Sequence, residues 1–334
     1  MPLAASDILV LPYDTQFSIA GVQYARDSLH YTHNRMHLKT ADRLRKIVAG
    51  VAFEMAVRRW LENESVPYQR LGATPFTEVD KFDLAIGGRR CDLKSHLIYN
   101  RFKIASLHND PSWALEAQAL IPEDQFESKR MEENDLYIFG FVTGLEARHS
   151  SETEKALAKN LPAFLVHTPP ESHWVSRHEW KPLGEIALKT NESEPITIEV
   201  GGQRADRSAI HERVHLLPRT RTTLSQEYYS VLYLAIPRIP RGEICLHNIA
   251  FDQTHLIAPN EWSNIWIYGQ RVYVCGWMNK NGFRAASHKL AAGSPVKQYT
   301  HTSTANRALL IRDLRPMSEL VKIAKRHIMR SGNS

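Results

Sequence analysis

Two aspartates and a lysine near one glycine pair could together bind a cation beside a phosphate ester. Asp83 precedes Gly87 and Gly88, and Asp92 and Lys94 follow them. A Gly-Gly pair between apolar runs is typical of a two-residue hairpin loop, which would place Asp83 directly opposite Asp92. Opposed carboxylates repel each other because their Cβ atoms are only about 5 Å apart. A divalent cation would relieve this repulsion, and oxygen ligands favour Mg²⁺ or Mn²⁺ over zinc.

Side chains alternate between the two faces of a β-strand, and this alternation brings a lysine to the same cation. Lys94 lies two residues after Asp92, so both side chains are predicted on one face of the strand. The ammonium group could stabilise charge that develops on phosphorus, or orient the attacking water. A third carboxylate, Glu54, shares a helical face with apolar residues such as Val51 and Leu61. A glutamate on a buried face needs a partner, and the cation could be that partner.

A helix glutamate, a strand aspartate and an Asp-x-Lys triplet in this order resemble the PD-(D/E)xK nuclease superfamily. The residues that carry the resemblance are Glu54, Asp83, Asp92, Leu93 and Lys94. The resemblance covers about residues 38–142 and includes the helix, strand, strand order of that family. The chain departs from the family pattern at Phe82, where the motif name has proline, and in the short separation of its two aspartates.

The resemblance implies an α/β fold with a restriction-endonuclease-like mixed sheet flanked by helices. It also implies a Mg²⁺-dependent endonuclease that hydrolyses DNA, with restriction or phage defence as the expected context and a homodimer as the expected assembly. Lys94 would serve the attacking water, and Gln118 resembles a glutamine that some branches carry after the lysine. The groups that would hold Mg²⁺, or Mn²⁺ in its place, are Asp83, Asp92, the backbone carbonyl of Leu93 and Glu54.

Two other functions stay open on the same residues. A catalytically silent nucleic-acid-binding or assembly subunit could keep a nuclease-like fold, although the complete set of candidate residues argues against it. A hydrolase of another phosphate ester could use the same ion. Gly87 and Gly88, however, are better explained as a turn than as a phosphate-binding loop.

Each candidate residue also has a purely structural interpretation. Glu54 could pair with Arg58 one helical turn later, and Gln118 could lie on a solvated helix. Asp83 and Lys94 could be exposed hairpin residues, because Asp-x-Lys occurs often by chance. The candidate site therefore depends on all of its residues coming together.

Other polar residues are less specific. His33 and His37 would share a helix face, with His30 nearby, but no carboxylate or cysteine completes a metal set. The basic residues of the first long helix and of the C-terminal helix could contact phosphates, although solvated faces explain them too. Residues 219–223 could contact phosphates or form only a loop.

The candidate residues require a helix and a hairpin to position them. Apolar periodicity predicts a helix at residues 38–63, followed by the two hairpin strands at 82–86 and 89–98. The further predicted elements are strands at 136–142 and 163–167, and helices at 112–119 and 123–132. Their order indicates a nuclease-like core at residues 38–180, after an N-terminal extension at residues 1–37.

The second half of the chain has a different pattern. A polar stretch from Pro169 to Pro195 predicts a linker or a long excursion. Short runs of β-branched and aromatic residues then predict strands at 196–200, 228–236, 265–268 and 272–277. We therefore expect a second, mainly β domain at residues 190–334 for recognition or oligomerisation, closed by a basic helix at 318–330.

Composition limits the remaining possibilities. The chain has 334 residues, of which 43% are hydrophobic, enough for about two domains. Its net charge of +6 favours polyanionic partners. No apolar run approaches the roughly 18 residues of a membrane span, and no secretory signal is evident. The cysteines Cys91, Cys245 and Cys275 are isolated, so we expect a cytoplasmic protein without a membrane contact.

Overall fold

A computed structural model describes residues 2–29, 38–70, 83–128, 131–175 and 179–331 of the chain. The three histidines of the possible metal set, His30, His33 and His37, lie outside the described residues. So do Phe82 and residues 71–81, which precede it.

Helices and strands alternate along the chain. The α-helices are α1 Thr15–Ser28, α2 Thr40–Asn63, α3 Arg101–Asn109, α4 Glu123–Phe126, α5 Ser150–Leu157, α6 Glu171–Trp174, α7 Lys280–Ala286 and α8 Met317–Ser331. The strands are β1 Leu9–Leu11, β2 Tyr68–Arg70, β3 Leu84–Ile86, β4 Arg89–Ile98, β5 Gln118–Pro122, β6 Leu136–Glu146, β7 Leu165–His167, β8 Ile186–Thr190, β9 Ile196–Gln203, β10 Ala209–Leu216, β11 Arg221–Thr223, β12 Ser230–Ile236, β13 Ile244–Asn248, β14 Gln253–Ile257, β15 Ser263–Asn264, β16 Ile267–Asn279, β17 His288–Leu290 and β18 Asn306–Leu310.

The central sheet has the strand order β1-β16-β6-β4-β3-β2. β4 runs parallel to β6, whereas the other neighbouring strands are antiparallel, so the sheet is mixed. β6 is apolar at consecutive positions because both faces of the sheet are covered. Ile138 packs in the cluster that contains α1 and α2, and Phe139 packs in the cluster that contains α3 and β5. The predicted α/β class is confirmed.

The predicted hairpin is confirmed in its turn and in its register. Leu84 pairs with Cys91, and the two strands meet at Gly87 and Gly88, which have φ angles of +55° and +74°. Two consecutive positive φ angles favour glycine because it has no Cβ. A Cβ on Gly87 would also lie 3.2 Å from the Cα of Ala324, so α8 packs against the tip of the hairpin.

The N-terminal residues are part of the core, contrary to the predicted extension at 1–37. β1 pairs with β16 at the edge of the central sheet. α1 packs so closely on α2 that a Cβ on Gly21 would lie 2.9 Å from the Cα of Val48. Sequence patterns missed α1 because its apolar residues are interleaved with polar ones, and because its partner α2 lies elsewhere in the chain.

Two predicted helices are wrong in their extent. Residues 112–119 form a 3₁₀ helix, Pro111–Glu116, and then enter β5. Of the described residues within 123–132, only those of α4 are helical. β5 forms because it pairs with β18, nearly two hundred residues later, and this pairing overrides the local helix propensity. The polar stretch expected as a linker contains β8.

The predicted β-rich region does contain strands near the expected positions, together with the C-terminal helix α8. β9, β10 and β12 join β7 and β15 in one sheet, and β8, β11, β13 and β14 form another. However, β16 lies in the central sheet and β18 pairs with β5. The sheet pairings therefore do not follow the predicted division at residues 180–190, because apolar runs identify strands without identifying their partners.

No helix within the described ranges is both long enough and apolar enough to cross a membrane.

Candidate active site

The candidate site begins where β3 meets the middle of β4. The backbone N–H of Asp83 donates to the carbonyl of Cys91 at 3.1 Å, which continues the hairpin by one residue. The Asp83 carboxylate accepts a hydrogen bond from the backbone N–H of Leu93 at 2.6 Å. Asp83 is thus hydrogen-bonded to both residues that flank Asp92 in the sequence. The two aspartates are therefore adjacent, as the hairpin register predicted.

Asp92 and Lys94 lie on one face of β4. Their register partners on β6 are Tyr137 and Phe139, which share an apolar cluster. The Lys94 ammonium lies 2.6 Å from an Asp92 carboxylate oxygen. It also donates to the side-chain oxygen of Gln125 at 3.1 Å. Lys94 is thus held between a carboxylate and an amide, with its side chain 17% exposed.

Glu54 approaches from α2, which packs against β4. Its carboxylate pairs with Arg58 at 2.8 Å, as the structural interpretation of this residue predicted. Its negative charge nevertheless reaches Asp83, whose pKa it raises. Glu54 therefore contributes to the electrostatics of the site, and in this conformation its direct partner is an arginine.

The raised pKa of Asp83 shows that its position disfavours the charged form of the carboxyl group. Burial, followed by the charge of Asp92, raises the pKa of Asp83 to about 7. The hydrogen bond from Leu93 opposes this shift, the charge of Glu54 adds to it, and the charge of Lys94 opposes it. Such a site favours the arrival of a positive charge or of a proton.

Gln118 is not on a helix and does not contact Lys94. It lies at the start of β5, where its backbone N–H and carbonyl bond to the side chain of Gln298. The glutamine that contacts the lysine is Gln125 on α4. Sequence analysis missed Gln125 because its role depends on where β5 and α4 lie relative to β4, and no local pattern marks that position.

A cavity of about 610 Å³ extends along β4 from Lys94. Its floor is residues 93–99, and its walls are α2 on one side and residues 298–304 on the other. His96, two residues after Lys94, contacts Tyr299 edge-on with ring centroids 5.8 Å apart. Burial, followed by the charges of Lys46 and Lys94, lowers the pKa of His96 to about 4, so this imidazole is neutral at physiological pH.

The residues fit a hard divalent cation by their chemistry. Asp83 and Asp92 offer carboxylate oxygens at adjacent positions, and the raised pKa of Asp83 is the effect that a bound cation would reverse. Within the described part of the chain, however, no group of three or more His, Cys, Asp or Glu side chains is arranged to hold an ion. Each carboxylate has a protein partner instead: Leu93 for Asp83, Lys94 for Asp92 and Arg58 for Glu54.

Residues 219–223 are separate from this site, whereas α2 contributes Lys46 to the cavity and Arg58 as the partner of Glu54. Of residues 219–223, the last three form β11, which pairs with β8. On α2, the side chains of Arg58 and Arg45 are engaged in ion pairs with Glu54 and Asp42.

Comparison with known proteins gave no match to this chain among family models, curated proteins or solved structures.

Proposed function

We propose that this chain is a metal-dependent endonuclease that hydrolyses DNA phosphodiesters, built on a restriction-endonuclease-like core. The observation that carries the proposal is the meeting of Asp83, Asp92 and Lys94 at the end of one hairpin. A cavity large enough for part of a polynucleotide begins at Lys94. The net charge of +6 suits a polyanionic substrate.

In this proposal Asp83 and Asp92 would hold Mg²⁺, or Mn²⁺ in its place. The backbone carbonyl of Leu93 would assist them, and Glu54 would complete or support the site. When bound, the ion would supply Lewis-acid stabilisation of the phosphate and a lower pKa for the attacking water. Gln125 orients the Lys94 ammonium through the hydrogen bond described above.

The proposed reaction is the hydrolysis of a phosphodiester bond, and the chain's own residues act on it as follows. The oxygen of water bonds to phosphorus, the bond from phosphorus to one ester oxygen breaks, and the proton released by water balances the one that the leaving oxygen takes up. Lys94 places a positive charge beside the phosphate, where negative charge develops in the transition state. Asp92 fixes that ammonium at 2.6 Å, so little reorganisation is needed when the substrate binds.

Restriction or phage defence is the proposed context, and a homodimer the proposed assembly, both by resemblance to the nuclease superfamily. A double-strand cut requires two active sites, which a dimer would supply. The sheets formed by β7–β15 are proposed for recognition or oligomerisation.

One observation favours the second candidate function, a catalytically silent nucleic-acid-binding or assembly subunit. Each of the three carboxylates is already satisfied by a protein donor, two of them by a cation. A site that has lost its metal could be stabilised in this way. The two functions differ in whether added Mg²⁺ produces cleavage.

The first experiment is incubation of the purified protein with supercoiled plasmid in Mg²⁺, in Mn²⁺ and in chelator. Lys94→Ala and Asp92→Asn are assayed beside it. The matched control is Lys289→Ala, because Lys289 also forms a 2.6 Å ion pair with a carboxylate but lies on β17. Circular dichroism confirms that each variant is folded.

We expect metal-dependent nicking or linearisation that Lys94→Ala and Asp92→Asn abolish and Lys289→Ala leaves intact. Cleavage that persists in both site variants would place the activity elsewhere or in a contaminant. Absence of cleavage, with binding of DNA retained, would favour the silent subunit.

A further inference from the structure

The cavity beside Lys94 opens toward a mouth where aromatic and basic side chains alternate. At the end of β4, Tyr99 is 46% exposed, and the guanidinium of Arg148 lies 4.7 Å from the centre of its ring. Three residues later, at the start of α3, Phe102 is 85% exposed. Lys103, the next residue, lines the cavity, as do Tyr99 and Arg148. In the sequence Phe102 therefore lies between Tyr99 and Lys103, which line the cavity, although Phe102 itself is not among the lining residues.

The charges of the lining are suited to an anionic chain. Lys46, Lys94, Lys103 and Arg148 all reach the cavity. Two carboxylates, Asp42 and Glu146, reach it as well. Both are neutralised, since Arg148 lies 2.6 Å from Glu146 and 3.4 Å from Asp42, which also pairs with Arg45. For the side chain of Lys103 the described residues provide no ion pair.

The opposite wall supplies polar groups without charge. Residues 299–304 carry a run of hydroxyl side chains, and all of them line the cavity: Tyr299, Thr300, Thr302, Ser303 and Thr304. Hydroxyls can donate to phosphate oxygens or accept from sugars and bases without fixing a sequence. The lining of the cavity thus combines cations, hydroxyl groups and the exposed ring of Tyr99.

The exposure of Phe102 needs an explanation. A single exposed aromatic is common on protein surfaces. Phe102 is the most exposed large apolar side chain of the described residues, and it is close in sequence to a second exposed ring, Tyr99, and to Lys103, both of which line the cavity. Aromatic rings combined with basic side chains along a groove are the arrangement that binds single-stranded nucleic acid, because every base has a face that can stack.

We infer that this cavity binds a single-stranded segment of DNA, whose bases stack on Phe102 and Tyr99 while its phosphates contact Lys103, Arg148 and Lys94. The inference rests on the proposed nuclease function, which it deepens by naming the form of the substrate. A volume of about 610 Å³ is in the range of small-ligand pockets and admits one or two nucleotides but not stacked base pairs. A duplex would have to open before one strand could follow β4 to the candidate site.

The test measures binding of a fluorescent oligothymidylate of about 12 nucleotides and of a duplex of the same length. Fluorescence anisotropy is recorded for the full chain in chelator, so that metal-dependent cleavage cannot interfere. Phe102→Ala and Lys103→Ala are compared with Phe251→Ala. Phe251 is the matched control because it is 53% exposed and follows β13, away from this cavity.

We expect the single strand to bind at least about tenfold more tightly than the duplex, and Phe102→Ala to weaken that binding about tenfold. Lys103→Ala should weaken it and reduce its dependence on salt. Equal binding of both forms, or a Phe102→Ala protein that matches Phe251→Ala, would overturn the inference.

The two proposals fail in different ways. If the wild type cuts plasmid but Phe102→Ala binds as Phe251→Ala does, the nuclease stands and the single-strand cavity does not. If no nucleic acid is cut in any metal while strand binding depends on Phe102, the cavity stands and the nuclease does not.

Discussion

Two clusters of charged side chains lie between elements of this fold, and they differ in how their charges are balanced. The hairpin cluster consists of Glu54, Asp83, Asp92 and Lys94. The α1 network joins helix α1 to the sheet of β9, β10 and β12, and consists of Arg26, Asp27, Glu199, His211 and Tyr233.

In the α1 network each polar group has a complementary partner. Arg26 lies 2.7 Å from Glu199 and donates to the Tyr233 hydroxyl at 3.1 Å. That hydroxyl donates to Glu199 at 2.8 Å. The two ring nitrogens of His211 lie 2.8 Å from Asp27 and 2.8 Å from Tyr233. Because its polar groups are all paired with one another, this network fixes the orientation of α1 on the sheet of β9, β10 and β12.

The hairpin cluster has three carboxylates near one another, and the difference appears in the pKa of its aspartate. Burial tends to raise the pKa of Asp27, but hydrogen bonds from His211 and Gln23 outweigh it and lower the pKa. For Asp83, burial and the charge of Asp92 act together and raise the pKa to about 7. Both clusters contain paired charges, but in the hairpin cluster burial and the neighbouring carboxylates together raise the pKa of the aspartate, whereas in the α1 network the hydrogen bonds lower it. This contrast separates a structural network from a site suited to a cation.

The largest expected effect is on catalysis. Lys94→Ala should lower the rate of plasmid cleavage by about 10³-fold, equivalent to about 4 kcal/mol, because a cation beside the phosphate is lost. Its midpoint of thermal unfolding should change by only a few degrees, since the side chain is partly exposed. Gel-based rates with Lys289→Ala as control measure the effect. A comparable loss in the control would remove the distinction between the clusters.

The next effect is on stability, in the α1 network. Arg26→Ala should lower the free energy of unfolding by about 3 kcal/mol, because Glu199 is left buried with its main partner gone. Arg213→Ala is the matched control: it removes another partner of Glu199, at 3.3 Å, but its side chain is 75% exposed. We expect that change to cost less than about 0.5 kcal/mol. Urea unfolding measures both, and equal losses would contradict this account.

The opposite pKa shifts of Asp83 and Asp27 can be tested by replacing each aspartate with asparagine and measuring stability in the presence of chelator. Because the folded pKa of Asp83 lies above its ordinary 3.8, its contribution to stability is full below about pH 4 and is lost as pH rises through about 7. Asp83→Asn should therefore stabilise the protein at pH 8, by about 1 kcal/mol, and have little effect at pH 4. Asp27 has a lowered pKa, so its contribution is present above its ordinary pKa and Asp27→Asn should destabilise at pH 8.

Urea unfolding of both variants at pH 4 and pH 8 makes the comparison. If Asp83→Asn destabilises at pH 8 as Asp27→Asn does, the hairpin cluster is another structural network.

A stability effect of similar size concerns the support of the hairpin by α8. Gly87→Ala should cost about 1 to 2 kcal/mol, because φ is +55° and the new Cβ would meet Ala324. Gly269 is the matched control, because it has a similar φ of +61° and no neighbouring atom within 4 Å of an added Cβ. Gly269→Ala therefore introduces the backbone strain without a steric contact. We expect Gly87→Ala to lose more stability than Gly269→Ala and to lower cleavage as well. Unchanged cleavage would show that the hairpin tip does not help to position the aspartates.

Local patterns sufficed for the parts of the site that lie within one hairpin. Gly87 and Gly88 determine the turn, the turn determines the register, and the register brings Asp83 to Asp92 and places Lys94 beside it. Helical periodicity likewise placed Glu54 on the side of α2 that faces β4. These relations span few residues and depend on backbone geometry alone, so they can be derived without knowing the rest of the fold.

Contacts between distant segments could not be derived in this way. The contact of Gln125 with Lys94 depends on β5, which is a strand because it pairs with β18 rather than because of its own residues. The packing of α1 on α2, and the return of β16 to the central sheet, depend on the same kind of pairing. Hydrophobicity alone would allow many apolar segments to pack against one another. Only the complete packed structure selects among these pairings. The sequence thus determined which residues could do chemistry, and the tertiary structure decided which of them share a cavity.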